Sequence, residues 1–217
     1  MIVNLCFHGV GACAHEHEPG EAGYWMNEDV FLGVLDVVAT RENVRLSFDD
    51  GNRSDADIVL PALRERGLRA TFFPLAGRLD DPASLSTSDL RKLRAEGMSI
   101  GSHGWTHTAW RGLSDAEAGR EFFDARIALE EASGAEITEA AFPLGSYDRS
   151  TLRHLRSAGY RAVYTSDRFP ARRSAWMRAR YSVTAADTVE SVTRIVRRRP
   201  GVREMRNVLA STVKRMR

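Results

Sequence analysis

The 217-residue chain has only two cysteines, Cys6 and Cys13, too few for a disulfide framework. Cys6 lies within an apolar strand pattern, where a buried free thiol is the expected fate. Long hydrophobic runs are missing too: no stretch approaches the length needed to span a bilayer. The opening MIVNLCFHGVG lacks a basic leader and a small-residue cleavage site. It reads as a first strand and not as a signal peptide, so the chain as given is expected to be cytoplasmic. No internal repeat and no low-complexity segment interrupts it. With 43% hydrophobic and 28% charged residues, the composition is that of a soluble globular protein, and the length suits one α/β domain with a full core.

A net charge of +2 conceals an uneven distribution. Residues 171–217 hold 13 Lys and Arg against 3 Asp and Glu, a balance of +10, which leaves −8 for residues 1–170. The basic surplus belongs to the tail, so the chain is not a nucleic-acid binder throughout. The tail sequence RIVRRRPGVREMRNVLASTVKRMR has a turn at Pro200 and Gly201. A helical pattern follows, with Val202, Met205, Val208, Leu209 and Val213 on one side and cations opposite. Such a helix ordinarily packs its apolar stripe on the domain. Peripheral contact with an anionic membrane is the second reading, and no nucleic acid is expected, for want of interleaved aromatics. The domain is therefore set at residues 1–195 and the basic amphipathic tail at 196–217.

Along the chain, strand patterns alternate with helical ones. IVNLCF, VRLSF, RATFFPL, MSIGSH, AAFPLG, RAVYTS and RYSV read as strands. Helical spacing recurs over VFLGVLDVVATR, Ala56 to Arg66, SLSTSDLRKLRAEG, the capped segment from Ser114 to Gly134, and TLRHLRSAGY. This order implies parallel strands with crossover helices, as a barrel or as an open doubly wound sheet. In both, sites gather at the C-terminal strand ends. LSFDDG, GSHGWTH and AFPLG all fall there.

Asp49 and Asp50 repel one another at a strand end unless a cation lies between them and the solvent. His103 and His107, four residues apart, can face one cation, and an aspartate completes a set of three ligands with open positions, a catalytic type of site. The second aspartate is then free to act as a general base toward water. That chemistry is amide or ester hydrolysis, with a backbone N–H near Gly145 as oxyanion donor. One divalent ion is expected, zinc first, with cobalt, nickel, manganese or iron as alternatives.

SFDDG, SHGWTH and FPLGSYD, in this order and spacing, resemble the first three motifs of the polysaccharide deacetylases, the NodB homology family (carbohydrate esterase family 4), from about residue 3 to residue 195. The resemblance implies a single-domain distorted (β/α) barrel, a divalent metal and removal of acetyl groups from N-acetylated sugars. By motif position it makes Asp49 the base and Asp50, His103 and His107 the metal ligands. Pro143, Leu144 and Gly145 form the third motif, with the Leu144 N–H as oxyanion donor. Ala141 stands where the family has an arginine that tethers the base; Arg180 or Arg178 is the candidate replacement. No histidine follows His154, and NLCFHGVG resembles the branch in which the last motif is permuted to the N-terminus. His8 is then the general acid and Leu5 lines the acetyl pocket. Asp167 falls at the fourth motif, and Trp105 is a candidate wall for the sugar. His15 and His17 read as solvated. Rival readings are hydrolysis of another small amide or cyclic ureide, and a catalytically impaired metal- or carbohydrate-binding relative.

Overall fold

The protein is described from a computed structural model covering residues 1–197 and 201–217. Seven strands are β1 (Val3–Phe7), β2 (Val44–Asp50), β3 (Ala70–Pro74), β4 (Ser99–Ile100), β5 (Glu139–Ala141), β6 (Ala162–Thr165) and β7 (Met177–Ser182). They pair in parallel in the order β4-β3-β2-β1-β7-β6-β5. The two outer strands meet through a parallel bridge between Ser102 and Ala140: Ser102 N–H donates to the Glu139 carbonyl and Ala141 N–H to the Ser102 carbonyl, both at 2.9 Å. This contact closes the sheet, so the fold is the distorted (β/α) barrel and not the open sheet. The distortion sits where β4 is only two residues long.

The helices begin and end where local chemistry directs. Asn27 accepts hydrogen bonds from Asp29 and Val30 N–H to start α1 (Glu28–Ala39), which buries Phe31, Val34, Leu35 and Val38 at helical spacing. Ser86 and Asp89 form the capping box of α3 (Thr87–Ala95). The expected helix over Ala56 to Arg66 is α2 (Leu60–Glu65) behind a wide π turn, Asp55–Val59. The segment from Ser114 to Gly134 is likewise α4 (Asp115–Gly119), a π turn at Arg120–Asp124 and α5 (Ala125–Ser133), ended by Gly134 at φ 69°. That π turn carries the buried Glu121 carboxylate. It accepts from Trp105 N–H at 2.8 Å, from the Thr106 hydroxyl at 2.8 Å and from Trp110 Nε1 at 3.2 Å, and so fastens the loop that contains both site histidines.

Side chains alternate between two environments across the barrel wall. Phe7, Phe48 and Phe72 stack at centroid distances of 5.3 and 5.0 Å in the large core beneath the helices. Phe73, Ala141, Ala162 and Tyr164 form a smaller cluster. No helix among the described residues is long and apolar enough to cross a membrane.

Past α6 (Arg149–Ser157), α7 (Val189–Arg197) runs across position 195, and the turn expected at Pro200 lies outside the described residues. In α8 (Val202–Met216) the expected packing is reversed. Its barrel-facing side is polar: Ser211 is fully buried and shares a 3.0 Å hydrogen bond with the Tyr147 hydroxyl, Lys214 Nζ meets Asp167 Oδ1 at 2.7 Å, and Asn207 Nδ2 donates to the Arg168 carbonyl at 3.0 Å. Val202, Met205, Val208, Leu209, Val213 and Met216 are exposed instead. The anchoring surface offers a carboxylate, a hydroxyl and a carbonyl, which polar side chains satisfy and apolar ones cannot.

Candidate metal and catalytic site

Asp49 and Asp50 end β2 on the floor of a cavity of about 260 Å³ at the C-terminal rim of the barrel. His8, Glu18, Tyr24, His103, His107, Leu144 and Gly145 are among its lining. Both aspartates are buried, yet their surroundings differ completely. Asp49 receives Arg180 in a bidentate pair, Nη1 to Oδ1 and Nη2 to Oδ2, each 2.6 Å. Arg180 comes from β7, is itself fully buried, and lies 5.5 Å from the Phe73 ring centroid and 5.7 Å from that of Tyr164. Ser47 Oγ accepts a further bond from its Nη1 at 3.1 Å. Burial pushes the Asp49 carboxyl up, but the guanidinium, with His103 adding to it, prevails and holds the group far below the usual carboxylate range. Arg178, the other candidate tether, pairs with Glu139 and the Tyr164 hydroxyl.

Asp50 faces the histidines. His103 Nε2 and His107 Nε2 each lie 3.5 Å from Asp50 Oδ1, an oxygen that is buried and has no hydrogen-bond partner among the described residues. The opposite ring nitrogens explain why. His103 Nδ1 is 2.9 Å from the Ala141 carbonyl, which only accepts, so Nδ1 carries the hydrogen and Nε2 presents a lone pair. His107 Nδ1 is 2.8 Å from the Glu18 carboxylate, which Arg78 holds in turn at 2.7 Å, so the ring is oriented with Nε2 toward Asp50. Burial pushes the His103 imidazole down to about 4, against the pull of Asp49 and Asp50, so its ring is neutral at neutral pH. Two ring nitrogens and a carboxylate oxygen thus converge on one point. A divalent cation satisfies that arrangement, and two nitrogens with one oxygen form the donor set of an open catalytic site.

A second cluster, Cys6, His8 and Asp49, brings ligand atoms within 4.8 Å of one another. It is poorly suited to a metal, because burial pushes the Cys6 thiol well up and Arg180 occupies both Asp49 oxygens. Asp55 lies close behind. Burial, with repulsion from Asp50 and Asp49, pushes it well above the ordinary carboxylate range. Backbone strain gathers at the same rim: Asp50, His107 and Leu144 hold φ of 73°, 59° and 55°, a left-handed conformation that costs an L-residue on the order of 1–3 kcal/mol.

The remaining candidates distribute unevenly. His8 lines the cavity with its ring 4.8 Å from that of Tyr24. Leu144 and Gly145 stand at the rim on a 3₁₀ turn that Pro143 opens. Leu5 does not line the cavity: one residue out of step with Cys6 along β1, it is fully buried in the large core. Trp105 is not a wall either. Its indole packs so closely on Gly77 that a Cβ there would lie 2.7 Å from Nε1, and Arg120 covers its other side. Asp167 sits outside the cavity lining, accepting from the Tyr147 hydroxyl at 2.6 Å and from Lys214. Glu18 and Arg78 are the supporting residues that the sequence did not mark; Glu18 stands in the loop read as solvated, and only contact across 89 residues with His107 reveals it.

A parallel barrel with paired carboxylates and two histidines at its C-terminal rim defines an α/β barrel protein with a candidate metal centre. The sequence profile of the polysaccharide deacetylases matches residues 36–163, and the chain belongs to that family. It is 24% identical over 167 residues to the YxkH protein of Bacillus subtilis, covering 77% of this chain and 60% of that one. To a chitin deacetylase of Pestalotiopsis sp it is 31% identical, over 61% of this chain and 44% of the other. It therefore spans only about half the length of these relatives. The solved structure of the Streptococcus pyogenes deacetylase PplD in complex with acetate superposes with a TM-score of 0.75 over 91% of this chain and 98% of that one, at 18% identity, a likeness of fold.

Two outcomes follow from this geometry. Arg180→Leu strands a buried carboxylate and is expected to cost about 3–5 kcal/mol in denaturant unfolding, most of it recovered in Arg180→Leu/Asp49→Leu; a loss under about 1 kcal/mol contradicts the pair's role. In the metal-free protein, unfolding frees His103 to take up a proton that the folded ring refuses. The His103 contribution to stability therefore falls as pH drops from about 6.5 to about 4, and that of Asp49 falls in more acid solution; Asp55, raised by burial in the fold, contributes with the opposite sign, so the His103 contribution is read as the difference between the parent and His103→Gln. A stability difference between the parent and His103→Gln that stays constant from neutrality to pH 4 rules this out.

Proposed function

We propose that the chain is a metal-dependent hydrolase that removes an N-acetyl group from an amino sugar or glycan. The observation that carries this reading is the division between two adjacent carboxylates: one fixed by Arg180, the other facing two histidine ring nitrogens. Family membership and the chitin deacetylase relative support an N-acetylated glycan as substrate.

Asp50, His103 and His107 would hold the ion, zinc before cobalt, nickel, manganese or iron. Bound there, it supplies Lewis acidity to water and to the amide carbonyl. Asp49 accepts the proton of the attacking water. A carboxylate held so acidic by Arg180 is a weak base on its own. Arg180 fixes both Asp49 oxygens and leaves only their remaining lone pairs for the water. The Leu144 N–H, at the cavity rim, donates to the oxygen that becomes negative as the acetyl carbon turns tetrahedral. His8 protonates the departing amine as the C–N bond breaks, releasing acetate and the free amino sugar. Glu18 positions His107, and the Ala141 carbonyl positions His103.

Acetate release from a panel of N-acetylated sugars tests this, with chelated and zinc- or cobalt-reconstituted protein beside Asp49→Asn and His8→Ala. Release that needs the metal and drops at least about 100-fold in both variants is the expected result. Turnover that survives chelation or either substitution, or metal uptake with no release from any N-acetylated sugar or simple acetamide, overturns the reading.

A further inference from the structure

The reversed orientation of α8 is the feature the proposed chemistry leaves unused. Three contacts lock its polar side to the barrel, through Ser211, Lys214 and Asn207. The outward side then exposes a stripe in which Met205 and Leu209 are 72% and 67% accessible. An apolar stripe turned to water on a helix held by polar anchors is a surface for something else to cover.

Charge decides the occupant. Arg206 and Arg215 lie exposed on α8 and Arg217 just beyond its end, while the helix's one acidic residue, Glu204, is buried. The neighbouring α6 contains no Asp or Glu and adds Arg149 and Arg153; the two helices join where Arg149 N–H donates to the Arg217 carbonyl. A second copy of the chain docking through this face would bring two such sets of cations together. An anionic bilayer offers the complement in one object, with negative headgroups for the arginines and an apolar layer directly beneath for the stripe. At 15 residues the helix is roughly 22 Å long, suited to lying in the interface and too short to cross it.

We propose that α8 is a membrane-docking element that seats the protein on an anionic phospholipid surface through Met205, Leu209 and the arginines around them. Its C-terminal end lies beside the cavity mouth. Lys214 Nζ is 3.4 Å from the carbonyl of Gly145, which lines the cavity, and Leu144 on the same rim is 66% exposed. Docking therefore brings the mouth close to the lipid plane. Combined with the deacetylase reading, on which this last step rests, it selects a glycan carried on a lipid or held at the membrane surface.

Flotation of the full chain with phosphatidylcholine vesicles, with and without phosphatidylglycerol, tests the docking. Binding only to the anionic vesicles is expected, weakening as salt is raised. Met205→Gln/Leu209→Gln is expected to weaken it at least about tenfold, and Arg206→Gln/Arg215→Gln about thirtyfold, with thermal unfolding unchanged in both. Asp49→Asn is expected to bind like the parent, so failure of the catalytic reading leaves this result standing. No retention by anionic vesicles, retention indifferent to Met205 and Leu209, or a dimer in solution that the same pair of substitutions dissolves each overturns the proposal, the last in favour of a second copy.

Discussion

The buried pair between Asp49 and Arg180 is the constraint on which the site depends. A lone carboxylate sealed in the barrel has its pKa driven up, as burial does to Asp55 close by. Arg180 prevents this by meeting both oxygens at 2.6 Å, and it reaches them from β7, hydrogen-bonded to Ser47 and close to the rings of Phe73 and Tyr164. Asp49 is thereby charged but fully engaged, and Asp50 is left as the aspartate whose oxygen can turn to the histidines. The same arginine also explains Ala141. With the tether supplied from β7, a small residue at that position leaves its carbonyl to orient His103 and its side chain to join the small apolar cluster.

Around that pair the structure holds each group from behind. Glu121 fixes the loop between the histidines from a π turn, Glu18 and Arg78 hold His107, and the Ser102 to Ala140 bridge draws the two barrel edges together beside His103. His107, whose backbone is left-handed, is held by the Glu18 contact, which is how strain persists in a folded chain.

The four central residues were legible because strand-end position and residue chemistry coincide in LSFDDG and GSHGWTH. The barrel was legible in the alternation of strands and helices, although its closure rests on one bridge that periodicity cannot show. Arg180 was one of two candidates, and only its place in the barrel interior separates it from Arg178. Leu5 was misplaced because a one-residue step along a strand exchanges the faces of the barrel wall, and Trp105 and Asp167 because motif position says nothing of what a side chain packs against. Glu18 and Glu121 act across 89 and 16 residues, with no local pattern to mark them. In α8 the stripe was read correctly and its direction was not, since the polarity of the receiving surface is a tertiary property.

The most direct test is a crystal structure grown with zinc and measured at the zinc absorption edge. One anomalous peak bounded by Asp50, His103 and His107 is expected, with Asp49 still paired to Arg180 and uncoordinated. A peak between Cys6, His8 and Asp49, with Arg180 displaced, would contradict it.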